Sequence, residues 1–347
     1  MNSSLVECVP NISEGRNMTT INAIVDAVRN VPGCYVLGVE PDADYNRTVI
    51  TFAGEPEAVV EGAIALIEAS IHLLDMRTHQ GEHPRLGVVD VCPFVPLRNI
   101  DLDGCAELAK QVVDQLSQTY EIPFFLYGHA ASSPERTMLS SLRKGEYEGL
   151  ESRLNPEKEA DESTRWPDAG STVWNETTAR SGGITVGSRP ILVAYNVNVE
   201  EQGAVVAKKI GSLVRTSGRM VTADSGEKFR IHGMLPHVQG MGVQLDELQI
   251  SQVSLNLLDV KTTPLHAAYL ACQTIASDHA TSLCGSEIVG LVPLQAMLDA
   301  GAFFNPKAED DQSLVEAAII GLGLRVKHSF EPRKRIIEWA IEQEVGS

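Results

Sequence analysis

The chain has 347 residues and carries 46 acidic against 28 basic side chains, a formal charge of −18. That excess disfavours nucleic acid and anionic membranes as partners, so an anionic small ligand needs a local cluster of arginines. Apolar residues make up 43% of the chain, ordinary for a globular protein, and no run approaches the roughly 18 apolar residues of a membrane span. The N-terminal MNSSLVECVPN lacks a basic region followed by an apolar stretch, so no secretory signal is expected. Cys8, Cys34, Cys92, Cys105, Cys272 and Cys284 are scattered without metal-like spacing and read as reduced thiols of a cytoplasmic protein.

The first strand is expected over Leu5–Val9, ended by Pro10. Asn11, Ser13, Glu14, Gly15 and Asn17 then form a turn whose side chains bond nearby backbone. Thr19 or Thr20 is positioned to cap a helix whose apolar spacing runs through Ile21, Ile24, Val25 and Val28. Tyr35–Val39 and Thr48–Phe52 read as paired antiparallel strands around a polar loop, and a long helix spans about 55–75. After a charged connection come a strand over Leu86–Val91, a helix over 101–118 and a short aromatic strand over Pro123–Tyr127. Residues 134–162 read as helix with loops. Residues 163–180, polar and carrying Trp166 and Trp174, read as one long loop.

In the second half, strands are expected over 191–199, on both sides of a tight turn at Gly240 and Gly242, over 250–257 and over 287–291. Helices are expected over 201–217, 264–277 and 293–302, with two amphipathic helices at the end. Both halves share an order of helix between strands, adjacent strands, then helix again. The expected class is therefore α+β, two related α/β sandwich subdomains of the split βαβ, ferredoxin-like kind, over 1–183 and 184–347.

The densest chemistry lies in RTHQGEHPRLGVVDVCP, residues 77–93, on the connection from the long helix to the following strand. It holds His79, Glu82, His83, Arg85 and Asp90. His79-x-x-Glu82-His83 matches a zinc-peptidase pattern, but that chemistry needs both histidines on one helix face. Gly81 inside the motif and Pro84 after it oppose a helix. The competing reading is one loop histidine acting as a general acid/base tuned near neutral pH. The plainest reading is a solvated loop with no chemistry.

These segments together resemble the glutamate formimidoyltransferase family, the transferase half of formimidoyltransferase-cyclodeaminase. The matching stretches are LVECVPNISEGRN at the start, NRTVITF at 46–52, GEHPRLGVVDVCPFVPL at 81–97 and LYG at 126–128. ILVAYNVN at 191–198, QVSLNLLD at 252–259 and EIVGLVPLQAMLDA at 287–300 follow in the same order. The cyclodeaminase half is expected to be absent. The resemblance implies two subdomains with facing sheets, tetrahydrofolate bound as co-substrate in the cleft between them, a homodimer, and no metal. It places the family's catalytic histidine on His83 and its folate-contacting loop on about 170–182, through Gly170, Ser171, Trp174, Arg180 and Gly182. GSTVWNETTARSGG differs from the vertebrate loop between its glycines, so individual folate contacts there stay open.

The activity so implied moves a formimidoyl group from N-formimidoyl-L-glutamate to N5 of tetrahydrofolate, in histidine breakdown. One histidine can take the proton from N5 and give it to the leaving amine. A cationic amidine calls for a carboxylate, and Glu82, Asp42 and Asp44 are the candidates. Substrate carboxylates call for arginine forks, and Arg16, Arg47, Arg85 and Arg180 lie in suitable loops. Asn11, Ser13 and Asn46 can bond substrate or only brace their turns, and His79 can orient His83. The alternatives are a formyltransferase using N-formylglutamate, a non-catalytic folate-binding protein, and the zinc peptidase.

Overall fold

The computed structural model describes residues 3–245 and 248–345. Two compact units divide between Pro190 and Ile191. The first unit opens with β1 (Leu5–Cys8) and β2 (Asn11–Ile12), followed by α1 (Met18–Arg29), β3 (Cys34–Asp42), β4 (Arg47–Gly54), α2 (Pro56–Leu73) and β5 (Val89–Arg98). β1 and β2 share one lane between β4 and β5, interrupted at Pro10, which cannot donate to a ladder. β3 pairs with the far side of β4, as expected, and all four lanes are antiparallel. A β-α-β-β-α-β chain with its first strand between the second hairpin strand and the last is the split βαβ arrangement. Asn17 caps α1 by accepting from the amides of Thr19 and Thr20, so the two threonines expected as caps are instead the capped residues.

The unit continues with α3 (Leu102–Ser117), β6 (Pro123–Gly128), α4 (Leu139–Leu142), α5 (Glu146–Leu154), α6 (Glu162–Arg165), β7 (Ala169–Gly170), α7 (Glu176–Ser181) and β8 (Ile184–Ser188). β8 runs parallel between β5 and β6, which carries the first unit beyond the expected boundary at 183/184. The stretch 163–180 is not one loop. Its polar residues serve as short-range partners: Asn175 caps α7, and the buried Arg165 donates to the carbonyls of Asn155 and Lys158. Along β6, Phe124 and Leu126 face the main core under α1–α3, while Phe125 and Tyr127 face a smaller cluster with Leu142, Leu150 and Leu154. That alternation is the period of a strand buried on both sides.

The second unit repeats the arrangement. β9 (Val193–Val199), α8 (Val205–Val214), a hairpin of β10 (Arg219–Thr222) with β11 (Lys228–Ile231), β12 (Val238–Leu245), β13 (Ile250–Leu257), α9 (Leu265–Asp278) and β14 (Leu283–Val289) build a sheet of order β12-β13-β9-β14. Helices α10 (Leu294–Phe304), α11 (Asp311–Leu322), α12 (Pro332–Arg335) and α13 (Ile337–Val345) complete it. Gly240 and Gly242 lie within β12 rather than in a turn. A Cβ at Gly242 would stand 2.1 Å from the Lys208 amide nitrogen, so glycine lets α8 press directly on the strand. Val193, Tyr195, Val197 and Val199 alternate into the core. The buried Tyr195 hydroxyl donates to Ser286 Oγ at 3.0 Å, which donates to the Leu322 carbonyl at 2.6 Å. Tyr195→Phe leaves Ser286 its carbonyl partner, so a loss of about 1 kcal/mol is expected. Thermal and urea melts of the variant check this; an unchanged midpoint would mean the hydroxyl relay contributes nothing.

Candidate active site

Residues 74–88 join α2 to β5 without helix, as Gly81 and Pro84 lead one to expect. The strand begins at Val89, later than the apolar run from Leu86 implied. Gly87 bridges to Gly182 and the Leu86 amide donates to Asp90 Oδ1 at 3.0 Å, which holds 86–88 outside the ladder. The connection meets two other loops, 13–17 and 42–47, and Asn46 ties all three. Its Oδ1 accepts from the Gly15 amide at 2.9 Å, its Nδ2 donates to the Gln80 carbonyl at 2.9 Å, and its own carbonyl accepts from His79 Nε2 at 2.9 Å. Asn46 is buried with φ +49°, a conformation asparagine tolerates better than most residues.

Because a carbonyl only accepts, His79 carries its hydrogen on Nε2. Its Nδ1 accepts from Arg85 Nε at 3.2 Å, so both ring nitrogens are engaged. Burial pushes the His79 pKa down, keeping the ring neutral. Arg85 is itself buried and forks onto Glu148 at 2.6 and 3.0 Å, which holds the Glu148 carboxyl below its usual range. His79 is therefore a structural link from Asn46 to Arg85 and α5.

His83 differs. It is half-buried, with Arg47 Nη1 3.4 Å from its Nε2 and the Tyr45 ring edge-on at 6.3 Å. Arg47 Nη1 also donates to Asn11 Oδ1 at 3.1 Å. Burial first, then the Arg47, Arg143 and Arg85 charges, pull the His83 pKa down to about 4. The sequence reading placed this value near neutrality. Burial is the main reason it lies lower, and the cations of Arg47 and Arg143, 36 and 60 positions away along the chain, add to it. At pH 7 the ring is an unprotonated acceptor.

An open hollow of about 730 Å³ adjoins the connection, lined by Arg16, Asp44, His79, Glu82, Arg85, Glu146 and Glu148 among others. Arg85 pairs with Glu146 and Glu148, which leaves Asp44 and Glu82 as the carboxylates that suit a cationic group. A groove of about 400 Å³ lies beside Trp166 and Trp174, and Trp174 packs on Tyr147 with ring centroids 5.8 Å apart. The Tyr147 amide donates to the Arg85 carbonyl at 2.9 Å, which ties the residue under Trp174 to the connection.

Several expected site residues also make contacts within the fold. Ser13 Oγ donates to the Gly87 carbonyl at 2.7 Å. Asp42 accepts from the Asp44 and Tyr45 amides, both at 3.0 Å, which leaves Asp44 rather than Asp42 on the hollow. Arg180 donates to the His72 and Leu74 carbonyls at 2.7 and 3.3 Å, a clamp on the end of α2. Gly170 and Gly182 have φ of +81° and +67° and press on the carbonyls of Ile122 and Leu86. Ser171 Oγ closes a local turn with Val173. Sequence reasoning missed Arg143, Glu146 and Glu148, which no spacing announces; Arg85 and Glu148 are 63 positions apart. It noted Asp90 without a role. The structure buries Asp90 fully, pairs it with Arg143, and burial pushes its pKa up. Among the described residues no group of three His, Cys, Asp or Glu is arranged to hold a metal.

The formiminotransferase domain N-terminal subdomain model matches residues 5–189 and the formiminotransferase domain model matches 194–342. This chain belongs to the formiminotransferase family. Over 302 residues it is 35% identical to the glutamate formimidoyltransferase of Streptococcus pyogenes serotype M1, covering 87% of this chain and 93% of that one. The Thermoplasma acidophilum protein of the same name is 36% identical, covering 87% and 92%. The formimidoyltransferase-cyclodeaminase of Rattus norvegicus is 40% identical over 98% of this chain, which spans 60% of that longer protein. In this formiminotransferase chain, Asn46→Ala removes partners from the Gly15 amide and the Gln80 carbonyl and puts alanine at positive φ. A stability loss of about 1–3 kcal/mol is expected, with faster hydrogen exchange at the Gly15 amide. Unchanged exchange there would show that the loops are held by something else.

Proposed function

We propose that this protein transfers the formimidoyl group of N-formimidoyl-L-glutamate to N5 of tetrahydrofolate, releasing glutamate and 5-formimidoyltetrahydrofolate, within histidine degradation and one-carbon metabolism. The reading includes a homodimer acting in the cytoplasm on small-molecule substrates, with tetrahydrofolate as co-substrate. The observation that carries it is His83, a neutral imidazole within reach of a guanidinium, in a family whose members are named for this transfer.

The reaction asks for three things from the chain. First, as the bond from N5 to the formimidoyl carbon forms, N5 loses a proton; His83 Nε2 is the acceptor. Second, the bond from that carbon to the glutamate nitrogen breaks, and the same proton goes to the departing amine. Third, the amidine is cationic when protonated, and Asp44 and Glu82 offer it carboxylates that Arg85 does not pair with. Arg47 and Arg16 are the guanidiniums available to substrate carboxylates. The flat aromatic part of the folate fits the groove beside Trp166 and Trp174, where stacking needs no hydrogen-bond partner.

His83→Ala is the test. Transfer from formimidoylglutamate should fall about 10²–10⁴-fold, the range for a missing general acid/base. The tetrahydrofolate dissociation constant should change little, because a proton shuttle acts in the transition state. His79→Ala should cost less in rate, since its nitrogens are engaged in the scaffold. Near-full turnover in His83→Ala would overturn the assignment, as would loss of activity on chelation restored by zinc.

A further inference from the structure

The contact between Arg47 and His83 has a direction. A guanidinium only donates, so His83 Nε2, 3.4 Å from Nη1, must offer its lone pair to Arg47. That lone pair is the one a proton acceptor needs. Arg47 is also incompletely satisfied: its Nε is buried without a hydrogen-bond partner, and among the described residues no carboxylate pairs with it. Asn11 Oδ1 is its other acceptor, a neutral one. Arg85, by contrast, has Glu148, and Arg143 has Asp90. Of the three guanidiniums around His83, one lacks a counter-charge, and it is the one that touches the ring.

We propose that Arg47 is a positioning residue that keeps the acceptor nitrogen of His83 occupied until a carboxylate of the bound substrate takes the guanidinium. The inference rests on the formimidoyl-transfer reading for its ligand, a glutamate carboxylate. Engagement by a carboxylate has two effects of the same sign. It draws the donor from Nε2, and it cancels the nearest positive charge. Both make the ring a better proton acceptor in the substrate complex than in the free protein. An imidazole titrating at about 4 is a weak base at neutral pH, and one moved toward 6.5 is better matched to the task. The other groups facing the ring are Arg143 after α4, Arg85 and His79 on its own connection, and Tyr45 before β4. Arg143 and Arg85 remain paired with their own carboxylates throughout.

The test is an imidazole NMR titration of the full chain, with His83 assigned by comparison with His83→Gln. In the free protein, Arg47→Gln should raise the His83 midpoint by about one pH unit or more, the effect of removing an adjacent like charge. Arg47→Lys keeps a charge and should leave the midpoint low, which separates charge removal from misfolding. Saturating L-glutamate should raise the wild-type midpoint and leave that of Arg47→Gln unmoved. An unchanged midpoint in Arg47→Gln, or a wild-type midpoint indifferent to glutamate, overturns the proposal. If glutamate leaves the midpoint unmoved while formimidoyl transfer proceeds at full rate, the gate alone is wrong. If transfer is also absent, the functional reading fails with it.

Discussion

Asn46 is the residue on which the arrangement depends. Three loops that are distant in the chain must meet before any chemistry can be assembled, and each brings backbone groups that need partners away from water. One side-chain amide answers two of them, the Gly15 amide and the Gln80 carbonyl, and the Asn46 carbonyl takes the His79 ring. Asn46 makes these contacts with a positive φ of 49°. The connection from α2 to β5 is thus a braced loop, and His83 is displayed on it four positions beyond the histidine that is tied down.

The electrostatics run against the chain's overall sign. A protein with a formal charge of −18 has nonetheless gathered Arg47, Arg85 and Arg143 around one imidazole. Two of the three are neutralised locally by Glu148 and Asp90, and Asp90 is buried enough that removing its arginine would leave a costly lone charge. The fold can hold these cations close because α5 and β5 supply the paired carboxylates, Glu148 and Asp90. Burial remains the larger influence on His83, with the guanidiniums adding to it in the same direction.

Much of the fold was legible in the residues. The spacing of Ile21, Ile24, Val25 and Val28, the paired strands on either side of residues 42–46, and the repeated strand-helix order all appear where periodicity placed them. Local chemistry also told against a helical metal site at His79 and His83, through Gly81 and Pro84. What could not be read were partners set by topology. Nothing near Arg85 announces Glu148, and nothing near His83 announces Arg47 as its hydrogen-bond donor. The polar stretch 163–180 looked like a loop because Asn175, Arg165 and Asp168 serve as caps and carbonyl partners, which composition does not distinguish from solvated polarity. Gly240 and Gly242 were misread for a related reason: a glycine that admits a helix onto a strand has the same letter as one that makes a turn.

Formimidoyl and formyl donors differ by one NH against O, and the carboxylates of Asp44 and Glu82, at the connection that carries His83, favour the donor that can be protonated to a cation. The most direct measurement is initial transfer to tetrahydrofolate by the purified chain, with N-formimidoyl-L-glutamate and N-formyl-L-glutamate compared at equal concentration. Turnover with the formimidoyl donor is expected at a kcat/KM well above that with the formyl donor. Preference for N-formylglutamate, or turnover of neither, would contradict it.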